Sequence, residues 1–148
     1  MTVEEAITVR VSALAAVIAL AGDRVYLDKL PQSPTYPAIR VQLVDDPASY
    51  HLRGPDGLSR ARVQVDHYAD EATASSDPYA AVAALEAATR GDGKGTAATG
   101  LSGWIGDVGS PPFVVRGCFR TNRLRRYDPD ELRLLTMSVD YIVLYLGS

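Results

Sequence analysis

The sequence predicts an α+β domain: a mainly antiparallel sheet of about four to six strands, with two main helices over about residues 3–20 and 78–90 packed on it. Three observations lead there. Ala38–Val44, Ser59–Tyr68 and Leu132–Leu146 alternate apolar and polar side chains, the period of a strand with one buried face. Val3–Leu20 and Pro78–Arg90 place apolar residues at helical spacing instead. Between Arg60 and Arg90, strand, polar break and helix follow in sequence at the middle of the chain, with strand-like segments on both sides. That arrangement is the centre of a single layer.

The chain of 148 residues is long enough to bury a core of its own, and no repeat or linker divides it, so 1–148 reads as one domain. A net charge of −3 argues against a dedicated nucleic-acid binder, although a local basic patch survives such averaging. Cys118 is the single cysteine and has no partner for an internal disulfide, so nothing points to an oxidising compartment.

Thr2-Val3-Glu4-Glu5 fits a capping box, in which the Thr2 hydroxyl accepts from the Glu5 amide and the Glu5 carboxylate reaches back. Val3, Ile7, Leu14, Ile18 and Ala21 then recur at helical spacing, Val11 and Val17 widen the stripe, and Gly22 suits a helix end. The small apolar run Val11–Gly22 also resembles a signal-peptide core. Glu4 and Glu5 cancel the positive amino end such a peptide needs, and the run is too short to span a bilayer. The expectation is an amphipathic helix of a mature cytosolic protein, with no membrane partner.

Asp23–Pro37 is a connector. It starts with a short extended piece at Gly22–Tyr26 and is stiffened by Pro31, Pro34 and Pro37. Ala38–Val44 is the first clear strand, with Ile39, Val41 and Leu43 on one face. A loop from Asp45 to Leu58 closes with the turn former Pro55-Asp56-Gly57. The strand Ser59–Tyr68 is then expected to pair antiparallel with the first. It sets Val63, Val65 and His67 on one face, and Arg62, Gln64, Asp66 and Tyr68 on the other.

Asp77 before Pro78 is a helix start, and Arg90 before Gly91 is a helix end. Tyr79, Val82, Ala83 and Leu85-Glu86 give that helix a narrow face of small residues. A flexible glycine-rich loop is expected at about 91–103. Its Gly93-Lys94-Gly95-Thr96 is not a phosphate loop: the required earlier glycine falls at Ala88, and the segment follows a helix rather than a strand. Trp104–Val108 is a short strand. Phe113–Arg126 is a long one, joined through Tyr127-Asp128-Pro129-Asp130 to Leu132–Leu146. Leu135, Met137, Val139, Tyr141, Val143 and Tyr145 form the apolar face of that last strand.

No catalytic, cofactor or metal set emerges, and no enzyme is expected. His51 lies in a loop. His67 alternates with valines, as an inward-facing, hydrogen-bonded histidine does. Asp66 and His67 point to opposite faces and cannot act on one group. Cys118 reads as a buried structural thiol. The unusual feature is Arg116, Arg120, Arg123, Arg125 and Arg126, in a stretch with no acid from Phe113 to Tyr127. Simple alternation puts Arg123 and Arg125 on one face and Arg116, Arg120 and Arg126 on the other. They are either a solvated face paired with Asp128, Asp130, Glu131 and Asp140, or a contact for an acidic partner or for DNA phosphates in a lumen.

Several pieces together resemble a known family. They are the apolar first helix ending in Gly22-Asp23-Arg24-Val25-Tyr26, then Pro31-Gln32, Tyr36-Pro37-Ala38-Ile39 and Gly57-Leu58. Arg62-Val63-Gln64-Val65-Asp66-His67-Tyr68, the alanine-rich helix and the apolar closing strand complete the set. The chain resembles the small tail-completion or tail-terminator proteins, of the head-to-tail joining type, found in long-tailed phages and phage-like particles. The resemblance implies a structural virion protein forming a homo-hexamer ring at the head-proximal end of the tail tube. That ring stops tube polymerisation and joins the tail to the head connector. Its implied partners are itself, the tail tube protein and the connector or adaptor protein. DNA passes through without sequence-specific binding, and assembly takes place in the bacterial host cytoplasm. The stretch Asp92–Pro112 is longer than the family pattern. The alternatives are another head–tail connector component, or a small ligand-binding α+β domain with a cleft under the Asp92–Gly103 loop.

Overall fold

The computed structural model describes residues 1–47, 50–51, 54–55, 57–71, 77–94, 98–128 and 134–146. Its elements are α1 (Val3–Ala13), α2 (Ala15–Ala21), β1 (Val25–Leu27), β2 (Ala38–Asp45), β3 (Tyr50–His51), β4 (Gly54–Pro55), β5 (Leu58–Asp70), α3 (Pro78–Arg90), β6 (Gly106–Val108), β7 (Phe113–Asp128) and β8 (Leu134–Leu146). Six strands form one sheet in the order β1-β2-β5-β8-β7-β6, and β3 pairs with β4 separately. The β1–β2 pair is parallel. The other pairs of the large sheet are antiparallel, including the expected β2–β5 pair. The α+β reading therefore holds.

The first helix begins as its capping box requires. The Glu5 amide donates to Thr2 Oγ1 at 3.3 Å, and the Thr2 amide donates to Glu5 Oε2 at 2.6 Å. It does not run unbroken to Leu20. Leu14 takes an extended conformation, φ −71° and ψ 122°, and the chain restarts as α2. The break rotates the apolar stripe, so Leu14, Val17 and Ala21 are buried while Ile18 is 50% exposed. No glycine or proline lies nearby to signal the break. It lets both helical pieces reach the same core.

That core lies between the helices and one sheet face. Ile7, Val11 and Val17 meet Ile39, Val63, Val65, Val82, Leu85, Val139 and Tyr141 there. Each large aliphatic side chain withdrawn from water contributes about 1.5–3 kcal/mol. The helices α1 and α3 lie over different strands, α1 against β1 and β2, and α3 against β5 and β8. Beneath the opposite face the described residues form a small cluster, in which Tyr36 and Tyr68 close over Ala38. Among the described residues most of that face carries no helix.

The stretch expected to be a flexible loop contributes Ala98 and Leu101 to the core, and Trp104 just after it joins them. Leu101 and Ser102 amides donate to the Thr89 and Arg90 carbonyls at 2.8 and 2.9 Å. Gly91 and Gly100 touch backbone to backbone: a Cβ on Gly100 would lie 2.5 Å from the Gly91 nitrogen. Arg10 reaches across from α1, donating to the Ala98 and Gly100 carbonyls and stacking 4.8 Å from the Trp104 ring. Gly95 and Thr96 lie outside the described residues, as do Asp56 and Pro129-Asp130 of the two expected turns.

Candidate functional site

β7 presents the arginines. Its pairing with β8 slips between Val115 and Gly117 and again between Arg120 and Asn122, so Arg116 and Thr121 are extra residues. Such bulges reset the alternation of side chains. Opposite residues of a ladder share a face. Arg120, Arg123 and Arg125 stand opposite Tyr141, Val139 and Met137 and so share the helix side of the sheet. Arg126 stands opposite Thr136, on the helix-free side. The expected grouping of Arg120 with Arg126 is thus corrected, and the bulge at Thr121 is the reason.

The acid that meets these arginines is also not one of those expected. It is Glu86 of α3, whose side chain is 3% exposed. Arg120 Nη1 lies 3.1 Å from Glu86 Oε1, while Arg90 and Arg123 lie 3.8 and 4.0 Å from Oε2. Asp77 caps α3 by accepting from the Ala80 amide, and the helix register carries Val82, Leu85, Glu86 and Thr89 toward the sheet. A carboxylate placed there requires nearby cations, because an unpaired buried charge is strongly destabilising. Arg125 lies 4.9 Å over the Tyr79 ring at the start of the same helix. Asp140, an expected partner, instead lies 3.9 Å from Arg62. Asp130 and Glu131 lie outside the described residues.

The five arginines therefore divide. Arg120, Arg123 and Arg125 lash β7 to α3. Arg116 and Arg126 are exposed and make no ion pair among the described residues. Glu86 was legible in principle: an acid one residue after Leu85, within an apolar helical stripe, calls for a cation from another element.

The buried residues His67 and Asp66 find their partners within the fold. His67 is fully buried, with Nδ1 3.0 Å from the Met137 carbonyl and Nε2 3.1 Å from Thr89 Oγ1. The carbonyl accepts, so Nδ1 carries the proton, and burial lowers the histidine pKa below 6.5. Asp66, behind it, accepts from Arg40 at 2.6 Å and from Gln42 and Gln64 at 3.1 and 2.7 Å. Burial pushes the Cys118 thiol up to about 12, so it is not a nucleophile at neutral pH. Among the described residues no group of histidine, cysteine and carboxylate side chains is arranged to hold a metal ion. None of the helices there is long and apolar enough to cross a membrane.

An open groove of about 590 Å³ lies between the amino terminus, Pro111–Val114 and Tyr145, away from the glycine-rich stretch. The Tyr145 hydroxyl in it is already bonded to Asp46 at 2.7 Å. Several large apolar side chains stay in solvent: Ile18 and Leu20 on α2, Leu43 and Val44 at the end of β2, and Phe119 and Leu124 on β7. Exposed large apolar side chains on edge strands and on a short helix are candidates for association surfaces.

Comparison with known proteins adds two findings. The family described as tail completion protein gp17 matches residues 5–146. A solved chain from a structure titled "Virion of native gene transfer agent (GTA) particle" superposes with a TM-score of 0.62 at 17% identity, covering 98% of this chain and 95% of that one. At that identity the likeness is one of fold. No curated protein sequence matches the chain.

Proposed function

The chain belongs to the tail completion protein gp17 family, and from that premise we propose that it is a structural protein of a phage-like particle. In this reading copies of it form a homo-hexameric ring at the head-proximal end of the tail tube. The ring ends tube polymerisation by covering the tube's growing face and offers its other side to the head connector. It assembles in the host cytoplasm and remains in the virion.

The observation that carries the reading is the family match, which extends over nearly the whole fold rather than one motif. The surface is compatible with it. A closed ring needs two unlike contact surfaces on each copy, and exposed apolar residues on α2, at the end of β2 and on β7 offer more than one candidate. The sheet face away from the helices, with Arg60, Arg62 and Arg126 exposed, holds no groove-reading helix among the described residues. A duplex passing the ring would meet charge without base readout. Arg116 and Arg126 are the proposed partner contacts, and Arg120, Arg123 and Arg125 support them from the helix side.

Native mass across a concentration series, with negative-stain images of the largest species, tests this. Six-fold rings with an open centre, alone or on the ends of purified tail tubes, are the expected result. A chain that stays monomeric and leaves tube ends bare overturns it.

A further inference from the structure

The two free edges of the large sheet are opposite in charge and both carry exposed apolar side chains. We propose that they pair between copies: the β7 edge of one copy adds to the β2 edge of the next, so that one sheet continues into its neighbour. The pairing rests on the ring reading above and names its interface.

Both edges are open for most of their length. On β7 the outer neighbour β6 covers only Phe113–Val115, and the Gly103 amide takes the Cys118 carbonyl at 2.7 Å. From Phe119 to Arg126 no outer strand is present among the described residues. Asn122–Arg126 follows the bulge at Thr121 as a regular run. On β2 the outer neighbour β1 covers Ile39–Val41, and Gln42–Asp45 has no outer strand among the described residues. Unpaired amides and carbonyls in a row are a template for another strand.

Charge selects the occupant. Phe119–Arg126 contains four arginines and no acid, whereas β2 ends in Asp45 followed by Asp46. Two β7 edges brought together would oppose arginine to arginine, and two β2 edges would oppose aspartate to aspartate. Both symmetric dimers are therefore disfavoured, and the unlike pair is favoured. Apolar exposure agrees: Phe119 and Leu124 are 50% and 56% exposed, and Leu43 and Val44 are 38% and 48% exposed.

Charged residues usually blunt an edge. Here Glu86 and the Tyr79 ring draw Arg120, Arg123 and Arg125 onto the helix side, which leaves the β7 backbone accessible.

An unlike edge contact repeats head to tail and closes into a ring when the rotation fits. At that level each copy contributes β2, β5, β8 and β7. Strands spaced about 4.8 Å apart and tilted as in a barrel would give six copies a ring about 45–50 Å across at the backbone, with a lumen wide enough for a double helix and the helices outside.

The test uses Val44→Cys and Leu124→Cys, both at exposed positions, with buried Cys118 left in place. The two variants, one isotopically heavy, are mixed with purified tail tubes and treated with a short bismaleimide that tolerates one register step. Linked pairs joining position 44 to position 124 are expected to exceed either like pair by about tenfold, given the charge opposition. Like pairs in equal or greater amount overturn the edge pairing, and rings of the wild-type chain seen in the same preparation leave the ring reading standing. No species above the monomer, alone or on tubes, overturns both.

Discussion

Arg120 on β7 and Glu86 on α3 meet at 3.1 Å, with the carboxylate almost fully buried and the guanidinium about one-third exposed. This contact decides which of the chain's arginines are structural. Arg120→Ala should cost about 2 kcal/mol of stability, because the buried carboxylate keeps only the more distant Arg90 and Arg123. Glu86→Gln should cost less, about 1 kcal/mol, because the arginines it releases can turn to water. Urea midpoints of the two variants check the order. Equal midpoints would remove Glu86 from its place as the anchor.

Histidine 67 gives the fold a pH dependence. Burial holds its pKa below 6.5, and the nearby carboxylates of Glu86 and Asp66 only partly oppose that shift. The unfolded chain therefore binds a proton that the folded chain refuses. Its contribution to stability is complete above about pH 6.5 and is lost as the pH falls below that value, by up to about 1.4 kcal/mol per unit. Urea unfolding at pH 7.0 and 5.5 should show the drop. The variant His67→Asn, less stable at neutral pH, should show a flatter profile over the same interval.

The free arginines are separable from the anchored ones. Arg116→Glu with Arg126→Glu should leave the unfolding midpoint within about 0.5 kcal/mol of the parent and abolish attachment to tail tubes. Arg123→Glu with Arg125→Glu should lower stability as well, since it sets an acid near Glu86 and removes the guanidinium over Tyr79. Thermal melts beside a tube-sedimentation assay distinguish the pairs. Full attachment by the first pair would end their assignment as partner contacts.

On α2, neighbouring residues should behave oppositely. Val17 is fully buried and Ile18 is half exposed, so Val17→Ala should cost about 1–3 kcal/mol. Ile18→Ser should be nearly neutral for folding while reducing self-association. Reversed stability effects would mean that the first helix continues through Leu14.

The long strands, the capping box at Thr2 and the starts of α1 and α3 are legible because each depends on neighbours within a few residues. Pro78–Arg90 coincides with the expected interval, since Asp77, Pro78 and Gly91 act locally at its ends. The buried, hydrogen-bonded His67 followed from its alternation with Val63 and Val65. The break at Leu14 was not legible, because it answers to where the sheet lies. The bulges at Arg116 and Thr121 were not legible either: a bulge is a property of two paired strands, and one extra residue reverses every side chain beyond it.

The sequence alone therefore determined the α+β class, the start of the first helix and both ends of Pro78–Arg90, and an acid-free run of arginines on a late strand, because propensity, capping and period act over short separations. Tertiary structure decided what those arginines do. Glu86 lies 34 residues before Arg120, and only folding α3 over β5 and β8, with β7 paired beside β8, brings them together. Once it does, the cost of burying a carboxylate assigns Arg120 and Arg123 to the fold and leaves Arg116 and Arg126 exposed.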